Sequence, residues 1–473
     1  MSDTAPPARK SSERNTKTRL GGAFSRFWAG SLSSNLADGA MLTALPMVAA
    51  LLTNDPLLVS GLMVARFLPW LLIGLFAGVL VDRLDRVRIM VVGNTVRGGA
   101  LAFLAVLVAT GQATVWWLYA VMFAVMLCEV CYDLAGRSVL PDVVPPGTLD
   151  RANGRLEGGK IVAEQFAGAP LAGFLFAVTA ALPLAANAGA YLLGALVLLG
   201  MPLAVRRPPG SKKAESADGG GVRSVFPEIG DGMRVVFADR RFRAVVLLIS
   251  AVNLALMAQA SILVLLVQEH FGVPAALYGV FLASGAVGGL LGSLAVGPIA
   301  GLLGRFATGA TCYALMGVMS AAFALSPHPV VAGAAWCAVG FTAAVANVVA
   351  AGVWQLVVPR HLLGRALSCI QTVGTGASPL GAVIGGLLGR VDLRLPSLAA
   401  CATIVVAVAL TAPALRALAG RADSAERAAY EKPEEPGDGS AAAQAPLRSA
   451  HDARHDCAGD SARGRPPPGS AGG

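Results

Sequence analysis

The sequence predicts an all-α integral membrane protein with twelve transmembrane helices in two pseudo-symmetric six-helix bundles. Three observations predict it. The chain is 55% hydrophobic and only 14% charged over 473 residues, with a mean hydropathy of +0.65, which leaves too little polar residue to cover a soluble globule of that size. Apolar runs of roughly 20 residues recur along it, each long enough to cross about 30 Å of hydrocarbon at 1.5 Å per residue. A connection in the first half also reappears in the second, as expected of two parallel repeats. Glycine is abundant, at 56 residues, which suits helices that pack on small side chains.

In chain order, residues 1–20 are polar, rich in serine, lysine, arginine and proline, and lack the apolar core of a signal peptide, so a disordered cytoplasmic leader is expected. Residues 21–204 form the first bundle, with spans at 24–51, 57–80, 89–110, 114–136, 156–180 and 183–204. Residues 205–243, which hold Arg206, Arg207, Lys212, Lys213 and a glycine-rich stretch, read as a cytoplasmic linker. The second bundle occupies 244–419, with spans at 244–268, 275–300, 306–326, 329–352, 365–389 and 395–418. From 420 to 473 the composition turns to Ala, Glu, Asp, Arg, Pro and Gly, a disordered cytoplasmic tail.

Loop charge sets the orientation. The connections after helices two, four, six, eight and ten carry Arg83, Arg86, Arg88, Arg137, Arg151, Arg206, Arg207, Arg305, Arg360 and Arg365, whereas the opposite loops carry only Arg390 and Arg394. Excess arginine marks the cytoplasmic side, so a multi-pass protein of the cell membrane with both termini inside is expected. The net charge of +9 is spread over short loops and two tails, which fits orientation signals and not nucleic acid. Cys128 and Cys131 have the C-x-x-C spacing but lie in a span with no second pair, and His451, His455 and Cys457 sit in the polar tail. Neither set reads as a metal site. No cofactor is expected.

The stretch Gly78–Met90, GVLVDRLDRVRIM, is a short charged hinge between two apolar runs, so the flanking helices are antiparallel neighbours. Gly78 lets the two helices approach closely. The bundle repeat lies in Val143-Val144-Pro145-Pro146-Gly147-Thr148-Leu149-Asp150-Arg151-Ala152, echoed by Val357-Val358-Pro359-Arg360-His361-Leu362-Leu363-Gly364-Arg365-Ala366. An eroded hinge keeps Gly297 and Arg305 at the spacing of Gly78 and Arg86, with Gly301 in place of the aspartate.

Gly-x-x-x-Asp-Arg-x-x-Arg-x-Arg resembles the loop between helices two and three of the major facilitator superfamily, with Asp85 where that pattern has glycine. Ser34-Asn35-Leu36-Ala37-Asp38-Gly39, Ala65-Arg66-Phe67-Leu68-Pro69-Trp70 and Cys128-Glu129-Val130-Cys131-Tyr132-Asp133 look like its macrolide-efflux and enterobactin-exporter branch. Gly168-Ala169-Pro170-Leu171-Ala172-Gly173 is similar to the helix-five signature of antiporters, through Gly168, Pro170 and Gly173. The helix-four arginine of many drug:proton antiporters is missing, and Glu129 and Asp133 stand in that helix instead. The resemblance implies a cytoplasmic gate of Gly78, Asp82, Arg83, Arg86, Arg88 and Asp133, in which salt bridges break when the transporter opens inward.

An ionisable residue at mid-bilayer costs about 2.5–3.5 kcal/mol, so each needs a partner or a wet cavity. Asp38, Arg66, Arg97, Glu129, Asp133, Lys160 and Glu164 all fall within first-half spans, whereas the second half offers Asn253, Gln259, Asn347 and Gln371. Ionic machinery is therefore expected in the first half. Arg97, Asp133 and Lys160 read as snorkelling or stapling residues. Counting along the helices puts Asp38 and Arg66 at similar depth, which predicts an ion pair between them and makes Asp38, Arg66, Glu129 and Glu164 the set for proton coupling, with Asp38 the first choice.

These readings point to a monomeric, proton-coupled secondary transporter that exports a small amphipathic compound, a drug, antibiotic or siderophore, by alternating access. An uptake symporter or lipid flippase of the same fold, or a membrane sensor without turnover, stays open. An enzyme is not expected: no nucleophile, base and oxyanion set and no nucleotide-binding loop is visible.

Overall fold

The structure, a computed structural model, describes residues 20–145, 147–201, 239–358 and 372–430. All regular structure among these residues is helical. The first half contributes α1 (Gly21–Leu52), α2 (Pro56–Arg83), α3 (Arg86–Ala109) and α4 (Val115–Val143), then α5 (Leu149–Val178) and α6 (Leu182–Leu199). The second contributes α7 (Arg240–Ser261), α8 (Ala275–Ala324), α9 (Pro329–Val357), α10 (Ser378–Gly389) and α11 (Leu395–Tyr430). A short turn, Leu263–Leu265, and a π-helical turn, Leu266–His270, extend α7.

Eleven helices are long and apolar enough to cross a membrane among the described residues. One of them makes two crossings. The 50-residue α8 breaks at Gly304, whose φ of 76° is left-handed, a conformation that glycine adopts without steric cost. Its arms run back alongside each other, since the rings of Phe281 and Phe323 lie 6.0 Å apart and the Thr308 hydroxyl donates to Ile299 O at 3.4 Å. The eroded hinge around Gly297, Gly301 and Arg305 is thus a kink at a single glycine, and twelve crossings result, in the two-bundle layout.

Helix starts follow local chemistry. Asp55 caps α2, accepting from Leu57 N at 3.0 Å just before Pro56, and Asp85 caps α3, accepting from Arg88 N at 3.1 Å. Such side chains satisfy N–H groups that have no partner within the helix. Asp85, in the place of a glycine, therefore starts the third helix. Asp239 caps α7 through Arg241 N at 2.8 Å.

Several boundaries differ from the sequence reading. α5 begins at Leu149 and not near 156, because the polar stretch before the apolar run is itself helical, and α4 continues to Val143. α11 runs through residues 420–430, where composition predicts the tail. Alanine, arginine and glutamate there are strong helix formers. Arg421 reaches Asp239 at 3.0 Å and Asp423 reaches Arg305 at 2.5 Å. The leader up to residue 19, linker residues 205–238, the repeat copy from Pro359 to Ala366, Gln371 and the tail residues His451, His455 and Cys457 lie outside the described residues.

Candidate functional site

The first half packs α1 against α5 and α6, and α3 against α4 and α6. Small residues bring α1 and α5 into backbone contact: a Cβ on Gly168 would stand 2.7 Å from Leu36 O, and one on Gly39 would overlap the Glu164 backbone. At this contact α5 widens into a π-helical segment, Val162–Gly168. Pro170 explains the widening. It has no N–H to offer the carbonyl four residues back and its ring crowds that carbonyl, and Ala169 N–H donates five residues back, to Glu164 O. Such single π turns recur at functional sites.

Between α1, α3, α4 and α6 lies a buried ionic cluster. Arg97 of α3, with a side chain 0% exposed, sits 3.4 Å from Asp38 of α1 and in direct ion-pair contact with Glu129 of α4. Its other terminal nitrogen donates to Asn94 Oδ1 at 2.6 Å, and Asn94 Nδ2 donates to Ser34 Oγ at 2.8 Å. The Tyr191 hydroxyl of α6 donates to Asp38 Oδ1. The guanidinium lies between the rings of Tyr132 and Tyr191, 4.5 and 4.6 Å from their centroids, where ring quadrupoles attract a cation.

This cluster revises the expected pairing. Asp38 meets Arg97, and Arg66 forms no ion pair among the described residues, although Glu164, Asp38 and Glu129 are the acidic groups whose field it shares. Arg97 is no snorkelling residue, because its long side chain turns inward to the two carboxylates. Helix counting gives depth but not rotation about the axis, and rotation selected the partner. Glu164 pairs within its own helix with Lys160 at 3.7 Å. Asp133 makes no ion pair among the described residues. Tyr191 and Asn94 escaped a search for charged residues since neither is charged; the i, i+3 spacing of Asn94 and Arg97 was the signal for Asn94, and Tyr191 left none.

The residues expected to gate the other end are only partly visible. Arg86 donates to Ser138 O at 3.1 Å and meets Asp142 at 3.4 Å, which ties the start of α3 to the end of α4. Arg88 contributes its backbone N–H to the Asp85 cap. Gly78, Asp82 and Arg83 lie in α2, and their side chains lie outside the described residues.

Among the described residues the two halves meet at the arginine-poor end. A Cβ on Gly173 would stand 2.9 Å from Ala276 O, and Gly279 packs on the Ala169 backbone, joining α5 to α8. A Cβ on Gly389 would stand 2.9 Å from Pro56 Cβ, joining α10 to α2. Across this seam Arg390 grips Asp55 with two nitrogens, at 2.7 and 2.5 Å, and holds its carboxyl below the ordinary value of 3.8. Arg394 donates to His270 Nε2 at 3.1 Å. Behind the clasp one apolar cluster, with Met41, Leu45, Leu62, Leu265, Phe271 and Phe323, draws on both halves.

Twelve crossings in two bundles, with charge buried in one of them, define a multi-pass membrane transporter. The major facilitator superfamily profile matches residues 27–382, and the chain belongs to that family. Macrolide efflux protein A of Streptococcus pyogenes is 22% identical over 393 residues, covering 82% of this chain and 95% of that protein. An uncharacterised MFS-type transporter of Mycobacterium tuberculosis (strain ATCC 25618 / H37Rv), Rv0037c, is 35% identical over 120 residues, 24% of this chain and 26% of that one. Among solved structures, the nucleoside transporter NupG superposes with a TM-score of 0.61 at 13% identity, over 85% of this chain and 99% of that one. A bacterial homologue of the iron transporter ferroportin in an inward-facing state gives 0.62 at 17% identity, over 84% and 98%.

Proposed function

We propose that this protein is a proton-coupled secondary transporter that exports a small amphipathic compound from the cell by alternating access. One observation carries the reading: two buried carboxylates, Asp38 and Glu129, share a single arginine. One cation neutralises one of them, and a second ionised carboxylate in that enclosure is disfavoured by burial and by its like-charged neighbour. The pair is therefore suited to take up and release one proton as its surroundings alternate between wet and dry. A proton moving inward through 100 mV supplies about 2.3 kcal/mol, which corresponds to tens of fold in the concentration of a neutral exported compound. Arg66, Glu164 and Lys160 are the charges left to answer to substrate.

In this reading the termini are cytoplasmic and the protein is a cell-membrane monomer. Residues 21–204 and 244–419 move against each other about the 205–243 linker, and the arginine-poor end, where Asp55 and Arg390 pair, faces outward. The efflux protein matched over most of both chains supports export and suggests a macrolide as the first probe. In everted vesicles energised with an acid interior, a radiolabelled macrolide accumulates and a protonophore releases it. Asp38→Asn and Glu129→Gln keep downhill exchange and lose uphill accumulation. Uphill accumulation by both variants at wild-type level and unaltered by pH would remove the coupling role from this pair.

A further inference from the structure

The arginine-rich end of the second half contains a cleft of about 40 Å³ between α7, α8, α9 and α11. Its walls are apolar and include Tyr313, Val349, Trp354 and Leu418. Phe306, Ala310, Val353 and Leu415 on the walls are half-exposed, so the cleft opens to the surroundings. It exceeds the space of a single water.

The rim is basic. Arg416 is exposed, lies 5.6 Å over the Phe306 ring, and forms no ion pair among the described residues. Arg305, on the wall itself, is held by Asp423 at 2.5 Å. On α7, Arg241 precedes the wall residue Val245 by four positions, which puts both on one helical face. Neither Arg241 nor its neighbours Arg240 and Arg243 meets a carboxylate within ion-pair distance among the described residues. Asp239, the acid nearest to them in sequence, is taken by Arg421 at 3.0 Å. Positive charge in surplus thus borders an apolar slot at the level where four helices leave the membrane.

We propose that this cleft binds an anionic phospholipid of the surrounding bilayer, with the phosphate at Arg416 and Arg241 and one acyl chain running across the mouth of the slot, a few of its methylenes inside. The guanidinium fork matches phosphate oxygens, and basic clusters between membrane helices attract acidic headgroups. The slot has its own handle. A Cβ on Gly309 would meet Val349 Cγ1 at 3.7 Å, ordinary contact, so a larger side chain there grows into the space that the acyl chain takes. This site lies in the second half and is independent of the ionic cluster in the first.

The experiment is native mass spectrometry of the full chain in neutral detergent, with thermal melting in parallel, after addition of phosphatidylglycerol, phosphatidylcholine or inorganic phosphate. Phosphatidylglycerol is expected to be retained and to raise the melting temperature, and the other two are not. Arg416→Gln, at an exposed position, weakens retention about fivefold, and Gly309→Leu weakens it independently. Equal retention of phosphatidylcholine overturns the proposal. So does phosphatidylglycerol retention unchanged in both variants. An equal effect of inorganic phosphate overturns it as well, since a free anion would then account for the site without a lipid.

Discussion

Arg97 is the residue on which the buried cluster depends. It is fully enclosed and touches Asp38, Glu129 and Asn94 while two tyrosine rings cover its faces. Removing one partner of a buried ion pair costs about 3–5 kcal/mol, chiefly because the other charge is left unpaired in a dry site. Arg97→Met is therefore expected to lower membrane abundance and melting temperature sharply, as read by fluorescence-detected thermal unfolding. Adding Asp38→Asn and Glu129→Gln should recover much of the loss, since no uncompensated charge then remains. Failure of the triple variant to recover would mean that Arg97 matters through packing on Tyr132 and Tyr191 and not through charge. Arg97→Lys keeps the charge but lacks the planar fork that reaches Asn94 and the carboxylates together, and an intermediate result is expected.

At the level of the element, the π turn in α5 and the glycines opposite it set how closely α1 and α5 approach. Gly168 and Gly173 were singled out in the sequence for a motif, and their geometry is that of packing positions, Gly168 against α1 and Gly173 against α8. Gly39, next to Asp38, makes the tightest approach of this group; the sequence reading included it in the stretch Ser34–Gly39 but assigned it no packing role. Overpacking a well-filled contact costs about 1–3 kcal/mol. Gly39→Val should reach at least that range, because the obstruction is the Glu164 backbone, which has no rotamer to yield. A lowered melting temperature together with loss of transport is the expected outcome. The same substitution at Gly99, where a Cβ meets nothing within 4 Å, should leave both unchanged and serves as the control.

For the whole molecule, the clasp of Asp55 and Arg390 spans the seam between the halves. Any opening at that end must break it. Asp55→Asn, measured by the distance between spin labels at Asn54 and Val391 in a cysteine-free background, should shift the population toward longer separations, and Arg390→Gln should do the same. The double variant should add little to either. The pH dependence has a definite sign. Arg390 and the Leu57 N–H favour the ionised carboxyl and lower its pKa, so the clasp is at full strength above the ordinary value of 3.8. It is lost only as pH falls through the still lower value of the closed state. Across neutral pH the label distance should therefore stay constant, and variation around neutrality would show that this pair does not hold the end closed.

The amino-acid sequence by itself determined the class of fold and the sites of the crossings, because apolar length and loop charge act locally and a bilayer reads them one segment at a time. It also determined that the ionisable residues gather in the first half, with Asp38, Glu129, Arg97 and Glu164 among them. Only the tertiary structure decided which of them meet. The preference for Arg97 over Arg66 as the partner of Asp38 depends on how α1 and α3 are rotated about their axes, and that rotation is set by glycine contacts such as Gly98 on α6 and Gly39 on α5, which no hydropathy pattern encodes. The clasp between Asp55 and Arg390 was invisible for the same reason: two charges 335 positions apart become neighbours only when two separate bundles have closed on each other.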